Sequence, residues 1–156
     1  MLPFLFQING VTVEVVTDND IIVDYIKTDI LPCAMVDTPS RNDIDGTVYV
    51  PAVFHKLTKK QQTLILSHEC GHVALGHLSL AKAGELLINE SIEAEADKWA
   101  VDIHGVAAYT KMINDLTQYT LDILKEYISD ESVYNKLVVD MTNQANKRIA
   151  NFMLLY

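Results

Sequence analysis

The chain carries only two cysteines, Cys33 and Cys70, among its 156 residues. Two are too few for a disulfide framework, so a buried core has to hold the fold, and a reducing compartment suits it. No apolar run approaches the ~20 residues a helix needs to cross a bilayer. Basic residues are the scarcer charge, 12 against 21 acidic ones, for a formal net charge of -9. That balance speaks against nucleic acid or a membrane surface as partner, since both are anionic. The opening Met1-Leu2-Pro3-Phe4-Leu5-Phe6 has no basic residue before its short apolar stretch, unlike a secretory signal. The expectation is a cytoplasmic protein. Internal repeats, linkers and low-complexity tracts are lacking as well, and 156 residues suffice for a single domain, 1–156, with its own core.

What is present divides in two. The first fifty residues are rich in β-branched side chains and turn signals. Phe4 to Ile8 and Val11 to Val16 read as strands joined by Asn9-Gly10, the strongest two-residue hairpin signal. Asp18 or Asn19 can cap a short helix through Ile21, Ile22, Tyr25 and Ile26. Cys33 to Val36 is a third strand, and Thr47 to Val50 a fourth, which the following Pro51 marks as an edge.

From there the pattern is helical. Thr58 and Gln61 make a capping box for a helix running to about Leu75, with Gly76 past its end. Ser79 to Asn89 reads as a connection. A second helix spans about Glu90 to His104 and stops at Gly105. A C-terminal helical pair follows from about residue 106. It carries one apolar stripe from Tyr109 to Tyr127 and another from Tyr134 to Phe152. The expected class is α+β: a small, mostly antiparallel N-terminal sheet packed on an active-site helix and further helices.

Residues 68 to 72 read His-Glu-Cys-Gly-His. Four residues turn through about 400° of helix, so His68 and His72 share a face one turn apart and can each give a nitrogen to one zinc ion. Glu69, beside the first ligand, points to the side. From there a carboxylate can take a proton from a water activated by the metal and later pass it to a leaving amine. Leu66, Cys70, Val73 and Ala74 form the opposite face and can pack on the sheet. Two histidines leave a catalytic zinc short of a protein ligand. The next helix offers Glu90, Glu93, Glu95 and Asp97. Glu93 and Asp97 are four apart and share a face, so Glu93 can bind the ion while Asp97 orients a ligand imidazole. Glu90 lies near that face and Glu95 points elsewhere.

With these residues the chain resembles the gluzincin metallopeptidases, in which a glutamate from a later helix joins the HExxH helix. Glu93-Ala-Glu-Ala-Asp97 resembles the HtpX-like branch, and Trp99-Ala100 after the glutamate resembles the ImmA/IrrE-like branch. The likeness covers Thr47 to about His104. It implies a zincin-like fold, one Zn2+ on His68, His72 and Glu93, Glu69 as general base, and a peptide or protein substrate added as a strand to the edge at Thr47 to Val50. HtpX-like enzymes usually sit in membranes and ImmA/IrrE-like proteins often carry a DNA-binding module. This chain has neither feature, so no substrate carries over.

Other residues read less sharply. His77, five after His72, falls opposite the ligand face and is expected to be a helix-end or core histidine. His104, Tyr109 and Tyr49 compete as oxyanion donors. Cys70 is a packing residue, and Cys33 is a weak candidate for a thiolate that blocks the zinc. The expected activity is zinc-dependent endopeptidase. The C-terminal helical pair suggests, as the alternative, a silent or latent peptidase fold serving as a binding or regulatory module. A metal-free structural protein is the third reading.

Overall fold

The computed structural model describes residues 1–20, 22–23, 26–27, 32–78 and 90–156. The connection expected at Ser79 to Asn89 lies outside the described residues. Two strands, β1 (Phe4–Ile8) and β2 (Val11–Thr17), pair antiparallel with Ile8 opposite Val11. Asn9 and Gly10 turn between them with φ of 46° and 81°, the left-handed pair that this dipeptide tolerates. Ile22–Val23 (β3) and Ile26–Lys27 (β4) pair antiparallel as a separate two-stranded ladder. The helix expected there is corrected over these residues: β-branched side chains favour extended backbone over a marginal cap signal. Ile21 and Tyr25 lie outside the described residues.

The third expected strand sits slightly later, as β5 (Met35–Asp37), and the fourth is β6 (Gly46–Val50). The sheet runs β1-β2-β6-β5. It is mixed, with β2 and β6 parallel and the other pairings antiparallel. Thr47 to Val50 is therefore not an edge but an interior strand, and the edges are β1 and β5. Pro51 misled because it follows the last paired residue, where a missing N–H costs no ladder bond. The better signal was the run Thr47-Val48-Tyr49-Val50. Thr47, Val48 and Val50 are all buried, as in a strand covered on both faces.

Four helices complete the described fold: α1 (Lys59–Ala74), α2 (Glu90–His104), α3 (Val106–Tyr127) and α4 (Glu131–Met153). The capping box forms as expected. Gln61 N–H donates to Thr58 Oγ1 at 3.1 Å, and Thr58 N–H donates to Gln61 Oε1 at 3.0 Å. Helix α1 is a core helix, buried continuously from Leu64 to His72. Leu66 and Cys70 join the core, Val73 packs against it, and Ala74 alone of the expected sheet-facing set is exposed. On its other side α1 meets α2. Gly71 allows that approach: a Cβ there would lie 2.9 Å from the Ala96 carbonyl oxygen and 3.3 Å from Trp99 Cβ. Tyr109, near the start of α3, stacks edge-on with Phe152, near the end of α4. Tyr134 OH donates to the Leu121 carbonyl at the other end of the pair. The two helices are thus antiparallel, with α4 also lying against α2. Among the described residues, no helix is long and apolar enough to cross a membrane.

Candidate metal centre

The register set by the Thr58 cap brings His68 and His72 onto the side of α1 that faces α2, where both are buried. Their Nε2 atoms lie 3.2 Å apart. Glu93, in the first turn of α2, reaches both: Oε2 is 2.9 Å from His68 Nε2 and Oε1 is 3.3 Å from His72 Nε2. Among the described residues this is the one group of three histidine, cysteine or acidic side chains whose ligand atoms converge, all within 4.8 Å of one another.

The other three carboxylates that the sequence offered on α2 are already engaged. Glu90 is exposed and accepts from Lys147 Nζ at 2.8 Å. Glu95 accepts from His77 Nε2 at 2.9 Å. Asp97 is fully buried and accepts from His68 Nδ1 at 2.7 Å. Among these carboxylates Glu93 is thus the one that reaches both imidazoles.

The bonds behind the cluster decide what it can hold. His68 gives its Nδ1 proton to Asp97, so in the neutral ring Nε2 carries a lone pair. His72 Nδ1 lies 2.9 Å from His77 Nδ1, and His77 Nε2 donates to Glu95. With His77 neutral, its Nδ1 has no proton, so His72 must donate there, and His72 Nε2 is bare as well. Two imidazole lone pairs and a carboxylate then point at one another with no proton between them. Such a group is repulsive until a cation occupies it, and N, N, O is a donor set zinc accepts. The residues present fit the ion. Without metal, a proton takes its place. Burial would lower His68, but Asp97 and the bond to Glu93 outweigh it and push the imidazole up to about 10. Burial would likewise raise Glu93, yet its contacts with His68 and His72 hold it well below the usual carboxylate range.

Asp97 is itself fixed from a third element. Arg148 on α4 donates from Nε to Oδ2 at 2.9 Å and from Nη2 to Oδ1 at 2.7 Å, and Tyr109 OH donates to Oδ1. Burial would raise the Asp97 carboxyl; Arg148 and His68 hold it well below the usual range. Glu69 is also buried, and burial, with Glu93 adding repulsion, pushes its carboxyl up to about 7. Glu69 follows His68 directly on α1.

The oxyanion candidates do not converge there. His104 ends α2 and bonds Ser67 Oγ at 2.7 Å. Tyr109 is spent on Asp97, and Tyr49 is half-buried in β6. Cys70 is fully buried, and burial pushes its thiol up to about 12, which suits a packing residue. Cys33 is half-buried and stands outside the converging group. Arg148 went unnoticed in the sequence, and nothing in its local pattern signals it. His77 is buried as expected, but its ring bonds a candidate ligand. The signal available was Gly76, whose φ of 73° ends α1 and turns the chain back. No family model, no curated protein and no solved structure matches the chain.

Proposed function

We propose that this chain is a zinc-dependent endopeptidase of zincin-like fold, with one zinc ion on His68, His72 and Glu93. The observation that carries the reading is the convergence of His68 Nε2, His72 Nε2 and the Glu93 carboxylate from two helices, each imidazole being hydrogen-bonded through its Nδ1 to a partner behind it. The gluzincin-like arrangement of the HExxH helix and a glutamate from the next helix supports the same reading.

Zinc bound there would lend Lewis acidity to a peptide carbonyl and to water. Glu69 is the base. It takes one proton from water as the water oxygen bonds the carbonyl carbon, and returns it to the amine nitrogen as the C–N bond breaks. Its burial suits the task, because a carboxylate near neutrality both accepts and releases a proton readily. His68 and His72 hold position through their Nδ1 bonds and take no proton from substrate. An extended peptide needs a free strand edge, and the sheet's two edges, β1 and β5, both meet α1.

The test is Glu69→Gln. Zinc stays stoichiometric by elemental analysis, while cleavage of a denatured-protein or peptide-library substrate drops by at least about 100-fold, the usual loss for a general base. Unchanged cleavage removes Glu69 from the chemistry. A wild-type protein that holds zinc and cleaves nothing in the library leaves the binding-module reading instead.

A further inference from the structure

His72 is held differently from His68. His68 rests on a carboxylate, the common arrangement behind a metal-binding histidine. His72 rests on another imidazole. His77 is 2% exposed, lies five residues on, and is brought back by the turn at Leu75-Gly76. Its Nδ1 is 2.9 Å from His72 Nδ1, and its Nε2 is 2.9 Å from Glu95 Oε2. The two rings meet edge to face with centroids 5.1 Å apart.

The polarity of this chain follows from chemistry. A carboxylate only accepts, so Glu95 puts the proton of His77 on Nε2. Neutral His77 then accepts at Nδ1, and His72 has to donate from its own Nδ1. Glu95, exposed at the far end, thereby decides which nitrogen of a buried histidine two hydrogen bonds away carries a lone pair. No other side chain bonds His72 Nδ1 among the described residues. Resting on the zinc reading above, we infer that His77 is a positioning residue. It fixes the Nδ1–H tautomer and ring angle of His72, and Glu95 anchors it from the surface.

This makes sense of a residue pair that the reaction leaves idle. A buried histidine with no role would be replaceable by any apolar side chain of its size. Here it must accept on one side and donate on the other. Glutamine can do both: its amide oxygen can accept from His72, and its NH2 can donate to Glu95. Leucine can do neither.

The experiment measures zinc affinity, by competition with a chromophoric chelator, and the visible spectrum of the Co2+-substituted protein. The proteins are wild type, His77→Leu, His77→Gln and Glu95→Ala. His77→Leu is expected to bind zinc about 10–100-fold more weakly, as is usual when a partner behind a ligand is lost. Its Co2+ bands should shift as the His72 ring reorients. His77→Gln should return to within about threefold of wild type, with the wild-type spectrum, because both bonds are restored. Glu95→Ala, at an exposed position that leaves the core intact, should weaken zinc in the same direction but less. It keeps the inference open to refutation if His77→Leu does not fold. Wild-type affinity and spectrum in His77→Leu, or in Glu95→Ala where the leucine variant fails to fold, overturn the inference and leave the zinc reading standing. Loss of affinity in His77→Leu with no recovery in His77→Gln also overturns it, since that pattern reports packing alone. No zinc bound by wild type overturns both.

Discussion

Replacing Arg148 by methionine tests the support beneath the candidate centre with the ion left out. Asp97 is fully buried, and the two donors of Arg148 fork across both its oxygens at 2.9 and 2.7 Å. Removing one member of a buried pair commonly costs about 3–5 kcal/mol, because the other charge stays behind. Here the Arg148 side chain keeps 40% of its exposure, so water already screens the pair. His68 and Tyr109 also remain bonded to Asp97. Those two facts reduce the expected loss to about 2–3 kcal/mol. In urea, with zinc chelated, the midpoint should fall by about 1–2 M at unchanged slope.

The loss should also depend on pH. The Asp97 carboxyl is held low in the folded wild type, so its contribution is present above the unfolded value of about 3.9 and fades as pH falls through the folded value. Methionine removes the chief interaction that lowers it. The difference between the two proteins should be full at pH 7 and shrink below about pH 4. A loss under about 0.5 kcal/mol, typical of an ordinary surface change, would refute the reasoning, as would a deficit that stays constant on acidification.

Three further outcomes follow from the same geometry. Gly71→Ala gains about 1 kcal/mol of helix propensity but sets a Cβ 2.9 Å from a backbone oxygen that cannot rotate away. Overpacking costs about 1–3 kcal/mol, so a net loss of up to about 2 kcal/mol in thermal or urea unfolding is expected, with weaker zinc binding as α1 and α2 part. A variant at least as stable as wild type would show that the helices do not need the close approach. Zinc binding should release a proton, because His68 in the metal-free protein is held up at about 10 and the ion takes its place. Apparent affinity should therefore rise by about tenfold per pH unit between roughly 7 and 9, measured by calorimetry in buffers of different ionisation enthalpy. A flat response would mean that His68 is already neutral. The metal-free protein should lose stability over the same interval. A raised histidine contributes fully below its unfolded value of 6.5 and is lost as pH climbs through the folded one.

How far the sequence was legible depends on whether the forces that place each residue are local or distant. The hairpin at Asn9-Gly10, the Thr58–Gln61 cap and the helix boundaries near Gly76 and Gly105 were readable, because each is decided within a few residues by φ preference or by an orphan N–H. The shared face of His68 and His72 was readable for the same reason. Helical spacing favoured Glu93 over Glu90, Glu95 and Asp97 without deciding among them; in the fold Glu93 reaches both imidazoles, and the other three bond elsewhere. Strand order was not local. Thr47 to Val50 lies inside the sheet because β6 enters between β2 and the earlier strand β5, which a proline after the strand does not report. Arg148 is the extreme case, 51 residues from Asp97 and joined to it only by the folding of α4 over α2. His77 is the instructive one. Its spacing from His72 does put it off the ligand face of a continuing helix, and that geometry is sound while the helix lasts. Gly76 ends the helix between them, and past a left-handed residue the i, i+5 rule no longer says where a side chain points. Periodicity along one helix found Asp97 behind His68 but could not find His77 behind His72, because a break separates those two. Asp97 and His77 lie on another helix or past a break, since the face of α1 that carries His68 and His72 is already taken up by their convergence with Glu93.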